Sequence, residues 1–269
     1  MVRDFAETVA GPTCHQRDKE QKPPTEEFKQ FAELGVAGMT IPENYGGQKL
    51  DDVSEAIVIE ELSRVDPSLG VMVAVHVGLC AMTIVLNGNE EQKKKYLPRL
   101  ASGENLGAYS LSEAGSGTDA AAMVAKANDD GDYFNLNGEK MWVTNGTTAD
   151  LFILFAKVTN HPDYGKKKHG GVTCFIVEKG YDGLKIGKKE DKLGIRSSDT
   201  CTLILDNCKV PKENVLGEVG SGFGIAMNAL DNSRIGIAAQ ALGIAQGAYE
   251  SALKYSKERE TFGKPIAQH

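Results

Sequence analysis

YFNLNGEKMWV, residues Tyr133 to Val143, alternates apolar and polar side chains with a period of two, and that rhythm decides how the chain divides. Three further runs share its β-branched and aromatic character: DLFILFAKV (150–158), VTCFIVEK (172–179) and TCTLILDNCKV (200–210). Each is bounded by Gly, Asn or Asp. About seven such runs lie between Leu106 and Pro211, so this part reads as a β-barrel or sandwich.

Working outward, the period changes to that of a helix on both sides. Thr25 to Leu34 places Phe28, Phe31 and Leu34 on one face and stops at Gly35. After the turn-rich IPENYGG (41–47), Asp51–Arg64, Ser68–Leu86 and Asn89–Leu100 continue the helical pattern, with Lys93 to Lys95 facing solvent. Downstream, Phe223 to Lys257 forms one long helix with apolar residues on more than one side. The fold class is therefore α+β: a helical domain (1–105), a middle β domain (106–213) and the beginning of a second helical bundle (214–269). A lone helix that apolar asks for partners, and the first residues (VRDFAETVA) open inside a helical pattern, so the chain reads as cut at both ends.

The totals exclude several classes. A net charge of −7 argues against nucleic acid as the main partner. Five cysteines form no CxxC pair and no Cys/His grouping, so they read as reduced thiols with no metal site. No apolar run is expected to reach the roughly 18 residues of a membrane span, and no signal peptide is apparent. A soluble, cytoplasmic protein is expected.

Three stretches carry candidate chemistry. In AYSLSEAGSGTDAAAM (108–123), Gly115 and Gly117 let the backbone turn so that amide groups converge, with Ser112, Ser116 and Thr118 adding hydroxyls. Such a loop is an anion or pyrophosphate cradle, or else a serine-rich turn. It matches neither GxGxxG nor a Walker loop. In NGEKMWVTNG (137–146), alternation sets Trp142 and Thr144 on one face and Met141 and Val143 on the other. An indole beside a hydroxyl suits a flat heteroaromatic ligand; the alternative is a core tryptophan. In ALDNSRIG (229–236), Asp231 and Arg234 are neighbours on one helix face, as an intrahelical pair or a polar clasp. Arg259, Thr261 and Phe262 end the helix with an arginine, a hydroxyl and a ring. The lysine runs at 93–95, 166–168 and 188–189 read as solvated faces.

Taken in order, these stretches resemble the acyl-CoA dehydrogenase family, and its short-chain (butyryl-CoA) branch in particular. The resemblance includes LGVAGMTIPENYGG, EEQKKKYLPRLASGE, AYSLSEAGSGTD, LNGEKMWVTNG, KKEDKLGIRSSDT, VPKENVLGE, GFGIAMNALDNSRIGIAAQALGIAQ and ERETFGK, and so runs along the whole chain. It implies an FAD flavoprotein of fatty-acid breakdown that converts a short-chain acyl-CoA to the trans-2-enoyl-CoA and passes electrons to an electron-transferring flavoprotein. It places Tyr109, Leu111 and Ser112 beside the flavin, Gly117 and Thr118 near the FAD phosphates, and Thr118 also on the acyl-CoA. Trp142 is expected to cover the ring, with Val143 and Thr144 at its edge. Asp231, Asn232, Ser233 and Arg234 are expected to contact CoA. Arg259, Thr261 and Phe262 are expected to reach the FAD of a neighbouring subunit, in a homodimer or homotetramer.

The resemblance breaks at the base. The short-chain branch implies a catalytic glutamate beyond His269, and Ser233 stands where the isovaleryl type has its own. Glu113 is given a structural place, so no catalytic residue is assigned in this chain. The acyl pocket floor is expected partly around Val71 to Leu79. The rival readings are a non-catalytic FAD or acyl-CoA binding fragment and an acyl-CoA oxidase of the same fold.

Overall fold

A computed structural model describes residues 1–269. Residues 2–20 are helical and lead to α1 (Thr25–Glu33), which buries Phe28 and Phe31 as the three-residue rhythm predicts; Leu34, expected on the same face, caps the helix end and is exposed. Then come α2 (Asp52–Val65), α3 (Pro67–Ala74), a π-helical segment (Val75–Ala81) that runs into α4 (Met82–Asn87), and α5 (Glu90–Ala101). Local chemistry sets these boundaries. Asp51 caps α2 by accepting from the Ser54 amide at 2.8 Å. Asp66 caps α3 just before Pro67, and Asn89 and Gln92 form a reciprocal capping box on α5.

The continuous stretch Pro67–Asn87 corrects one expectation. An 18-residue window of this 21-residue stretch has a mean hydropathy of 2.3, long and apolar enough to cross a membrane by length and composition. It is nonetheless 72% buried within the protein, and its π-helical middle packs against the sheet and the last helix. It serves as the core helix of the first domain.

The middle domain is one eight-stranded sheet in the order β6-β7-β3-β2-β4-β5-β8, with β1 (Gly107–Ser110) parallel to β4. The strands are β2 (Lys126–Asp129), β3 (Tyr133–Thr144), β4 (Leu151–Val158), β5 (Val172–Glu178), β6 (Leu184–Lys189), β7 (Thr200–Pro211) and β8 (Val215–Leu216). The sheet curls around its own core: Phe134 on β3 and Phe175 on β5 are not on adjacent strands, yet their rings meet edge to face at 5.4 Å. Leu151 to Ala156 form a continuous apolar run because β4 is covered on both faces. Phe152 and Leu154 face the sheet's core, while Leu151, Ile153 and Phe155 join a second core shared with the helices.

One long helix, α6 (Gly222–Glu258), closes that second core with Ile225, Ala226 and Ala229. Farther along, it presses against α2 through small residues. A Cβ on Gly243 would sit 2.3 Å from the Glu60 carbonyl oxygen, and one on Gly247 2.0 Å from that of Arg64. Ile235, Ile237, Leu242, Tyr249 and Tyr255 stay exposed on the other sides.

Candidate functional site

The serine-rich loop is held by hydrogen bonds rather than by glycine conformation. Glu113 and Ser116 exchange backbone bonds of 2.9 and 3.0 Å, and the Ser116 hydroxyl donates to the Asp119 carbonyl at 2.9 Å. The backbone turns at Ala114–Gly115 and bends at Gly117 as expected, but neither glycine adopts a positive φ, so the turn does not depend on a glycine-only conformation. What they provide is room: a Cβ at either position would meet nothing within 4 Å.

Behind the loop lies a buried ion pair. Lys140 Nζ donates to Glu113 Oε1 at 2.7 Å and to the Leu111 carbonyl at 3.0 Å. The Glu113 carboxylate also accepts from the amides of Val124 (2.6 Å) and Ala125 (3.1 Å). Burial pushes the Lys140 amine down, against the pull of Glu113. Glu113 therefore ties both ends of the loop to β3, in keeping with the structural place expected of it.

On β3 the strict alternation fails at Trp142. Lys140 pairs with Leu203 and Val143 with Cys201, so three residues on β3 span two on β7. This is a β-bulge, and Trp142 takes φ +57 within it. Val143 shares the buried side with Lys140, three residues away, while Met141 is half-buried, so the pairing of Met141 with Val143 on one face is corrected. The Val143 side chain belongs to the sheet's core and does not line the cavity beside Trp142, which leaves its backbone as the part that could face a ligand. Trp142 is 60% exposed, which overturns the core-tryptophan alternative.

The loop, the bulge and α6 meet around a cavity of about 420 Å³. Of the expected residues, Tyr109, Leu111, Ser112, Gly117, Thr118, Trp142, Thr144 and Arg234 line it. Val75 and Leu79 line it from the helix where the pocket floor was expected. Ala120, Met227 and Leu230 line it without having been singled out, although Met227, Leu230 and Arg234 recur on one face of α6. The cavity is thus apolar on the helical side except for Arg234, and bears hydroxyls and an indole on the loop side. No carboxylate lines it.

Other expected residues lie outside it. Asp231 is exposed and pairs with Arg234 at 3.1 Å, which is the intrahelical pair weighed above. Asn232 bonds to Asn228 at 3.2 Å, and the Ser233 hydroxyl donates to the Leu230 carbonyl at 3.1 Å. Arg259, Thr261 and Phe262 sit past the far end of α6, and Phe262 is 97% exposed. Within a single chain they do not reach the cavity.

A second cleft, of about 390 Å³, begins where the first ends. Ala120 lines the first cavity, and the next residues, Ala121 to Val124, line the second together with Lys126, Lys157, Tyr164 and Lys166 to Lys168. Lys166 to Lys168 are exposed as expected, but they edge a concave surface rather than a featureless solvated face. Lys157 donates to the Ala121 carbonyl at 3.0 Å, and burial, aided by nearby Lys168, pushes its amine down.

An exposed indole held in a strained backbone beside a cavity, with open backbone at Gly117 and three hydroxyls, fits a planar heteroaromatic group that carries phosphate. Comparison with known proteins agrees with that fit. The acyl-CoA dehydrogenase N-terminal domain matches residues 1–104, the middle domain 108–208 and the C-terminal domain 220–269. The chain belongs to the acyl-CoA dehydrogenase family.

Within that family it is similar to the short-chain-specific acyl-CoA dehydrogenase of Clostridium acetobutylicum. The two are 45% identical over 266 residues, which is 99% of this chain and 69% of the relative. Butyryl-CoA dehydrogenase from Megasphaera elsdenii superposes with a TM-score of 0.93 at 42% identity, covering 99% of this chain and 70% of that one. An acyl-CoA dehydrogenase from Bacillus anthracis, solved in complex with FAD, gives 0.91 at 40% identity, covering 99% and 46%.

Proposed function

We propose that this chain carries the FAD site and most of the acyl-CoA site of a short-chain acyl-CoA dehydrogenase, which removes hydrogen from Cα and Cβ of the thioester. The observation that supports this best is the convergence of Ser112, Gly117, Thr118, Trp142 and Thr144 on one cavity whose opposite wall is apolar. FAD, when bound, supplies the hydride acceptor. The chain supplies alignment and a dry wall.

Trp142 offers an aromatic face, and Ser112 and Thr144 offer hydroxyls to polar ring edges. Val75, Leu79, Met227 and Leu230 exclude water from the acyl side, which strengthens any hydrogen bond that polarises the thioester carbonyl. The neighbouring lysine cleft receives the phosphorylated end of CoA, because the loop from Gly117 to Val124 passes continuously from one cavity to the other. The proton acceptor at Cα comes from outside these residues, since no carboxylate lines the cavity. Arg259, Thr261 and Phe262 contact the flavin of a second copy, and electrons leave to an electron-transferring flavoprotein.

Anaerobic titration of the flavin-loaded protein with butyryl-CoA tests this reading. Bleaching of the flavin absorbance is expected once a base is present. Binding without bleaching would leave only a ligand-binding role, and peroxide release in air would assign an oxidase.

A further inference from the structure

Glu55 lies in the first turn of α2, where an acidic side chain ordinarily points to solvent and favours the helix dipole. Here it turns inward. Its Oε1 is 3.1 Å from the position a Cβ on Gly78 would take and 3.7 Å from that of one on Gly236. Those two glycines, on the π-helical segment and on α6, leave the room it enters. The Ser233 Cβ lies 3.9 Å from the Gly78 position and Ile59 Cδ1 3.1 Å from the Gly236 position, so the carboxylate sits in the gap that the two glycines leave between the helices.

The gap adjoins the main cavity. Leu79, next to Gly78, and Arg234, next to Ser233, both line that cavity. The half-buried Glu55 side chain has neither a hydrogen bond nor an ion pair within the protein; burial, with Asp52 adding, pushes its carboxyl up to about 7. An acceptor without a protein partner, beside a wall that is apolar but for Arg234, is a selective element: it favours a ligand that brings a donor and penalises one that does not.

We propose that Glu55 is a specificity-determining residue at the far end of the acyl pocket, favouring short acyl groups whose terminus carries a hydrogen-bond donor, a hydroxyl or an ammonium, over plain alkyl. This rests on the acyl-CoA reading above.

The test is calorimetric binding of butyryl-, 4-hydroxybutyryl- and 4-aminobutyryl-CoA to the flavin-loaded protein and to its Glu55→Gln and Glu55→Ala variants. Thermal melting confirms that each variant is folded. Wild type is expected to prefer the donor-bearing thioesters at least tenfold. Glu55→Ala is expected to lose that preference and to bind butyryl-CoA more tightly than wild type, because the penalty on a plain alkyl terminus is gone; Glu55→Gln is expected to lose the preference for the ammonium and retain part of it for the hydroxyl. Equal preferences in all three proteins, with butyryl-CoA bound, overturn the proposal alone. If wild type binds no thioester, the acyl-CoA reading falls and the proposal with it.

Discussion

Replacing Glu113 with alanine should unfold the ligand loop and cost far more than a typical surface change. The Lys140 ammonium is fully buried, with Glu113 as its sole anionic partner and the Leu111 carbonyl as its other acceptor. Breaking one side of a buried pair costs about 3–5 kcal/mol, because the remaining charge is left uncompensated. The amides of Val124 and Ala125 lose their acceptor as well. Unpaired buried donors cost roughly 1–3 kcal/mol each, although the terms overlap within one network. A loss of about 4 kcal/mol is therefore expected, a large part of the ~5–15 kcal/mol by which a domain is stable. Urea unfolding followed by circular dichroism measures it. Glu113→Ala/Lys140→Met should recover part of the loss, since both charges are then gone. A Glu113→Ala cost below about 1 kcal/mol, or a further loss in the double variant, would refute the reasoning.

Three shorter predictions follow from other parts of the structure. His76 is fully buried, accepting from the Gly107 amide through Nδ1 at 3.0 Å and lying 3.1 Å from the Leu100 carbonyl through Nε2, and burial pushes it down to about 4. The unfolded chain therefore binds the extra proton between about pH 6.5 and 4, and stability falls by roughly 3 kcal/mol as pH drops through that window. Urea midpoints across this range should slope less in His76→Gln than in wild type. Gly247→Ala should cost roughly 1–3 kcal/mol, because its Cβ would meet the Arg64 carbonyl oxygen across α2, and the thermal midpoint reports it. Reversing the charge of Lys166, Lys167 and Lys168 should weaken butyryl-CoA binding and flatten its dependence on salt, while leaving affinity for a truncated pantetheine thioester unchanged.

Much of this architecture was legible where it is written in local periodicity. The helix over Thr25–Glu33, the apolar strand from Leu151 and the long last helix follow from side-chain spacing alone. The meeting of the hydroxyl loop with Trp142 and Thr144 was implied only by the resemblance to the acyl-CoA dehydrogenase family, and these residues line one cavity.

What escaped depends on partners distant in sequence. The bulge at Trp142 exists because β3 must stay in register with β7, and no pattern within β3 announces it. Met227 and Leu230 look like any buried helix positions until the loop is laid across them. Lys126, Lys157 and Lys166 to Lys168 become a cleft only when β2, β4 and the loop after β4 are assembled. The helix of Pro67–Asn87 has the composition of a membrane span, and only the sheet and helices around it show that it is a core element. Gly115 and Gly117 were marked for turning, and the chain does turn there, but without a positive φ; the space they leave became visible only in the assembled loop.

The chain contains a single tryptophan, so its intrinsic indole fluorescence reports on Trp142 alone. Titrating FAD while following that emission is the most direct measurement of whether the loop and the bulge share one flavin. Saturable quenching at one FAD per chain, lost when Thr118 and Ser112 are replaced by bulky residues, is the outcome the structure requires. Flavin that binds without disturbing Trp142 emission would contradict it.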